Sequence, residues 1–67
     1  MERANPIQVQ KFLKGVDYPA SKRQLIEHAR RQGADETVIE TLEHIPMERF
    51  ESPNDVAEGI GEIGEAA

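Results

Sequence analysis

An all-α fold, a small compact bundle of four short helices with a helix-turn-helix-like central pair, is predicted by three features of this 67-residue sequence. Ser21 to Pro46 reads as a capped helix, a glycine turn and a second helix stopped by proline. Within it, Val38, Ile39, Leu42 and Ile45 recur at i, i+1, i+4 and i+7, the stripe of a helix with one face in a core. Asn5-Pro6 and Ser52-Pro53 each place a capping residue before a proline at the first helical position, so each opens a flanking helix. The flanking segments then serve as lids on the apolar faces of the central pair. One domain is expected over residues 6–61, with a disordered start at 1–5 and a flexible acidic tail at 62–67.

The first helix is expected over residues 6–14. Phe12, Leu13 and Val16 share a helical face, Ile7 fits it less well, and Val9 falls off the stripe. Ile7-Gln8-Val9 also alternates with period two, which leaves a strand as the alternative there. Gly15 supplies a stop. Asp17-Tyr18-Pro19-Ala20 reads as an extended link, because a proline turns the residue before it away from the helical region. Tyr18 is expected to bury its ring and keep its hydroxyl at the surface.

Ser21 and Gln24 have the spacing of a capping box, so the second helix runs from Lys22 to Gln32. Leu25, Ile26 and Ala29 form its apolar stripe. Arg30 and Arg31 stand in its last turn, where cations suit the helix dipole, and Gly33 ends it. Asp35 caps the third helix, Glu36 to Ile45, and Pro46 ends that one. Phe50 is expected to plug the core beside Tyr18. Asp55 holds the capping-box position of the fourth helix, whose apolar residues are Val56, Ala57 and Ile60. Gly59, Gly61 and Gly64 weaken it, each by about 1 kcal/mol relative to alanine, so fraying is expected beyond Gly61. An echo links the two halves: Tyr18 and Phe50 each stand just before a capped helix, an aromatic pinning the chain where the helix begins. The expected core is Phe12, Leu13, Val16, Tyr18, Leu25, Ile26, Ala29, Val38, Ile39, Leu42, Ile45, Phe50, Val56 and Ile60.

Charge is divided along the chain. The net charge is −5, yet residues 1–34 hold seven of the eight basic residues against three acids, and residues 35–67 hold ten acids and only Arg49. Such asymmetry favours packing of one half on the other, or a charged partner. Solvated helix faces are the plainer reading of both. The candidate interaction face consists of Lys22, Arg23, Arg30 and Arg31 on the second helix and Glu36, Glu40 and Glu43 on the third. A chain this short buries only about 60% of its unfolded surface, so a partner, or a second copy, is a natural further source of stability. No cysteine is present, which rules out a disulfide and fits a reducing cytosol. No apolar run approaches a signal-peptide core or a membrane span, and the polar Met1–Asn5 stretch gives no sign of a leader. A cytoplasmic protein is expected.

Chemistry is sparse. His28 and His44 sit on separate helices, and neither has a second histidine or a cysteine three or four residues away, so no metal is expected. Glu36, Glu40 and Glu43 stand at i, i+4 and i+7, but a solvated face explains them without an acid pair. Gly59-Ile60-Gly61 lies within or after a helix, not between a strand and a helix, and so carries no nucleotide-binding meaning. Neither an enzyme nor a cofactor is expected.

A helix-turn-helix is the sharper alternative. Gly33, Ile39 and Leu42 follow Ala29 at offsets of four, ten and thirteen, the spacing of a small residue, a turn glycine and two core positions. Lys22, Arg23, Arg30 and Arg31 would then hold phosphates. The would-be recognition helix exposes Glu36, Thr37, Glu40, Thr41 and Glu43, however, and carboxylates in a major groove face two phosphate backbones. Nucleic-acid binding is therefore disfavoured. By elimination, a non-catalytic protein-interaction module is the favoured function.

Several runs together carry a resemblance: Phe12 to Lys22 (with Tyr18-Pro19), Leu25-Ile26-Glu27-His28-Ala29, Gly33-Ala34-Asp35, Leu42 to Pro46, and Phe50 to Val56 (with Ser52-Pro53). The sequence resembles the short bacterial domain-of-unknown-function family 2795 from about Val9 to Gly61. The resemblance implies a compact helical bacterial cytosolic protein and brings no activity, cofactor or site residue.

Overall fold

The computed structural model describes residues 4–63. Four helices and one small sheet follow in the order α1 (Pro6–Lys11), β1 (Ala20–Ser21), α2 (Lys22–Arg31), α3 (Glu36–His44), β2 (Arg49–Phe50) and α4 (Pro53–Glu62). The helix count matches the expectation, but the fold is mostly helical rather than all-α. The extended link before α2 pairs antiparallel with the segment before α4, Ala20 opposite Phe50 and Ser21 opposite Arg49. Lys22 N–H continues the ladder to the Glu48 carbonyl at 2.9 Å. The two aromatic-marked helix entries are thus hydrogen-bonded to each other. Pairing across so many residues leaves no local periodicity, which is why a helix-by-helix reading passes over it.

The central pair forms from local signals. Ser21 Oγ accepts from Gln24 N–H at 3.2 Å, and Gln24 Oε1 accepts from Ser21 N–H at 2.9 Å, which completes the capping box. Gly33, at φ +87°, closes α2. Its N–H reaches the Arg30 carbonyl and Ala34 N–H reaches that of Ala29, the paired bonds of a glycine-terminated helix. Asp35 Oδ1 accepts from Val38 N–H at 3.1 Å, and Ile45 turns extended ahead of Pro46. Leu25 and Ala29 of α2 and Val38, Ile39 and Leu42 of α3 are buried.

The flanking helices differ more from expectation. α1 is a helix, not a strand, with Asn5 Oδ1 accepting from Gln8 N–H at 2.8 Å, but it ends at Lys11 rather than residue 14. Phe12 and Leu13 N–H groups bond three residues back, to Val9 and Gln10, and Gly15 turns the chain at φ +90°. Such bonds advance the chain by about 120° per residue, so the 3.6-residue stripe does not hold there. Val9, read as off the stripe, is fully buried with Leu13, while Ile7 is 79% exposed. Phe12, Val16, Tyr18 and Ile26 pack on the core but are only partly buried, and Ala4 and Ala20 join the core in addition.

α4 also departs from its expected cap. Ser52 makes no side-chain cap bond. Asp55 Oδ2 instead accepts from Glu51 N–H at 2.8 Å, one residue further back. Gly59 is a packing residue as much as a weakness: a Cβ there would lie 2.5 Å from Ile45 Cγ2. Ala4 and Asn5, read as part of the disordered start, are respectively buried and the α1 cap. In the tail, Glu62 ends α4 and Ile63 packs on the core. Residues 1–3 and 64–67, which hold the rest of both expectations, lie outside the described residues.

Candidate interaction surfaces

The seven charged candidates separate once their partners are known. Lys22 leaves the set: only 17% of its side chain is exposed, and its Nζ donates to the Glu43 carbonyl at 3.2 Å and lies 3.5 Å from Glu48 Oε2. It therefore neutralises the carbonyl end of α3 and ties α2 to the connector between α3 and β2, residues 45–48. Arg23 sits 4.0 Å from Glu27, an exposed pair one turn apart worth little in water. Arg30 and Arg31 are exposed and make no ion pair among the described residues. Glu36, Glu40 and Glu43 are likewise exposed, with carboxylates outside every described ion pair. The fold brings together Lys22 and Glu43, and only through a backbone oxygen.

The helix-turn-helix spacing has a packing meaning. Ala29 and Leu42 are fully buried, Ile39 is nearly so, and Gly33 makes the turn. Thr41, expected on the exposed face of α3, is 3% exposed. Its Oγ1 donates to the Thr37 carbonyl at 2.7 Å and accepts from Ala4 N–H at 2.9 Å. The hydroxyl thereby anchors the chain start on α3, and the outer face of α3 is left with its carboxylates and Thr37.

Both histidines act as staples. His28 Nε2–H donates to the Lys14 carbonyl at 2.7 Å, fastening the turn at Gly15 onto α2. His44 Nδ1–H donates to the Glu40 carbonyl one turn back at 2.8 Å. Among the described residues, no three His, Cys, Asp or Glu side chains cluster in a metal-binding arrangement, and no helix is long and apolar enough to cross a membrane.

One surface feature is absent from the sequence-based expectations. A groove of about 470 Å³ runs between α1, the Gly15 turn and the start of α4. Ile7, Leu13, Val16, Tyr18 and Pro53 give it apolar walls, and Lys11 and Lys14 are its charged lining. Gln10 Nε2 donates to the Pro53 carbonyl at 2.8 Å and holds α1 against α4 there. The Tyr18 hydroxyl, expected at the surface, is shielded from solvent without a hydrogen-bond partner among the described residues. Burial raises its pKa above the usual phenolic value. The signal that could have revealed the groove is Ile7, an apolar residue that fits the first helix's stripe poorly.

No curated protein and no solved structure matches the chain. The family model described as a protein of unknown function, DUF2795, matches residues 4–57. That span takes in α1 through the first turn of α4, the sheet and both charged helices, and the chain belongs to this family.

Proposed function

We propose that this protein is a small, non-catalytic protein-interaction module of the bacterial cytosol. The observation that carries this reading is the unspent charge on the central pair. Arg30 and Arg31 at the end of α2, and Glu36, Glu40 and Glu43 along α3, are exposed and outside every ion pair described. The core and the helix caps close without them, so these side chains are available to a charged partner. Each histidine holds a backbone carbonyl through one ring nitrogen, His28 to Lys14 and His44 to Glu40, which gives both a role as staples within the fold.

A second reading, helix-turn-helix DNA binding, draws on the same free Arg30 and Arg31 and on the Gly33 turn. The carboxylates of α3 count against it, since the helix that would enter the groove carries charge of the wrong sign. An amide NMR titration with a random DNA duplex at low salt separates the two. Unchanged spectra are expected. Salt-sensitive shifts over residues 22–43, lost in Arg30→Ala/Arg31→Ala, would establish the DNA reading instead. In the source cell, a protein that co-purifies with the wild type should be lost from that same double variant while its melting temperature is unchanged. Retention of every co-purifying protein would exclude Arg30 and Arg31 as the contact, and retention also in Glu36→Gln/Glu40→Gln/Glu43→Gln would exclude the α2–α3 face.

A further inference from the structure

We infer that the groove between α1 and α4 is a docking site for an acidic segment of another protein, one that inserts an apolar side chain between Ile7 and Tyr18 and sets carboxylates against Lys11 and Lys14. The inference rests on the interaction-module reading and names a partner class and a second surface for it. Three observations support it. Ile7 is the single large hydrophobic residue among the described ones that stands exposed, and it stands at the wall of this groove. An apolar residue exposed beside an apolar groove is a contiguous patch, not a scattered surface residue. The charged lining is two lysines and no acid, in a chain whose acids outnumber its bases by thirteen to eight. Neither lysine belongs to an ion pair among the described residues.

The charge also selects the occupant. A two-fold dimer placing Ile7 of each copy in the other's groove would bring Lys11 and Lys14 of both copies onto one interface with no carboxylate in the lining to offset them. Like charges so placed disfavour a second copy. An anionic membrane is extended and meets the whole net charge of −5, which repels it, whereas a short acidic segment seated in the groove meets chiefly the charges within about 8–10 Å, Lys11 and Lys14 among them. The groove is open to solvent, so a small ligand would remain largely in water, whereas a peptide gains further contacts along the surface beyond it. At about 470 Å³ the space suits one or two anchoring side chains rather than a whole helix.

The test is selection of a random dodecapeptide display library on the folded protein, followed by amide NMR and calorimetry with the enriched peptides in synthetic form. Lys11→Glu/Lys14→Glu and Ile7→Asp change exposed positions and should keep the wild-type melting temperature; Arg30→Ala/Arg31→Ala serves as the control. Expected are peptides with an apolar residue flanked by acids, shifts confined to residues 7–18 and the start of α4, and a loss of affinity of about tenfold or more in each groove variant, with the control unaffected. Peptides that bind the groove variants as well as wild type but fail on Arg30→Ala/Arg31→Ala would overturn the groove and leave the interaction module standing on α2–α3. Enriched peptides without acids would overturn the charge argument. No enrichment at all would overturn the groove as a peptide site and count against the module itself. Concentration-dependent shifts of the free protein at Ile7 and Val16 would assign the groove to a second copy and overturn the acidic partner.

Discussion

The central pair and the flanking pair are held by different kinds of information. α2 and α3 carry their own ends: a reciprocal capping box, a glycine at φ +87°, an aspartate cap and a terminal proline. α1 and α4 depend on what they lean against. α1 has six residues, far below the length at which a helix persists alone. It is positioned by buried Val9, by the Gln10 bond to Pro53, and by Thr41 holding Ala4 just before it. α4 lacks a serine cap bond and has glycine inside it, one of which is required by its neighbour. The difference teaches where local signals suffice. Bonds between residues three or four apart are written in a short window, whereas lids are specified by surfaces assembled from elsewhere in the chain.

The largest expected effect lies in the shared core. Leu42→Ala removes a fully buried side chain of α3 and should cost about 2–5 kcal/mol. Urea unfolding followed by far-ultraviolet circular dichroism should show all four helices lost in one transition. Residual helix from α1 or α4 after the central pair melts would break the comparison.

Gly59→Ala should cost about 1–3 kcal/mol, because the new Cβ would meet Ile45 Cγ2 at 2.5 Å. Gly61→Ala, two residues on in the same helix, meets nothing within 4 Å and should gain up to about 1 kcal/mol. Opposite signs in parallel denaturation curves would show that packing against the connector, not helix propensity, rules the middle of α4.

Thr41→Val keeps the shape but strands the buried Ala4 N–H, at a cost of about 1–2 kcal/mol. Hydrogen exchange should quicken at Ala4 while the amides of α2 stay protected. Faster exchange throughout α2 would mean that the chain start supports the central pair as well.

The smallest effect is at Tyr18. Tyr18→Phe removes a shielded hydroxyl that has no partner among the described residues and should stabilise by about 1 kcal/mol at neutral pH. The wild type should also lose stability in alkali. Its folded phenol holds its proton above the ordinary value of 10.0, so between the unfolded and the folded pKa the native state binds more protons than the unfolded one. Stability is fully retained below the unfolded value and falls as pH rises above it. Denaturation across that range should show the decline in wild type and a shallower one in Tyr18→Phe.

Much of the site could be named from the chain, but not sorted. Arg30, Arg31, Glu36, Glu40 and Glu43 are exposed as a polar helix face implies. Lys22 looked equivalent to them until the end of α3 came within reach of its ammonium. Thr41 looked like a surface residue because only the approach of Ala4 from 37 positions away gives its hydroxyl a buried partner. The groove was illegible because its walls come from α1, the following turn and Pro53, and no short window contains them all.

By itself the sequence determined the helix count, the starts of α2 and α3, their ends to within one residue (Gln32 and Ile45 expected, Arg31 and His44 observed), the turn at Gly33 and the split of charge between the halves. The charge split is composition alone; the others follow from a residue's own backbone preference or from a partner within one helical turn. Only the tertiary structure decided the Ala20–Phe50 pairing, the inward turn of Val9 and outward turn of Ile7, the need for glycine at 59 and the employment of Lys22. Those outcomes depend on which atoms from distant parts of the chain come within van der Waals or hydrogen-bond distance, a quantity that no local pattern contains.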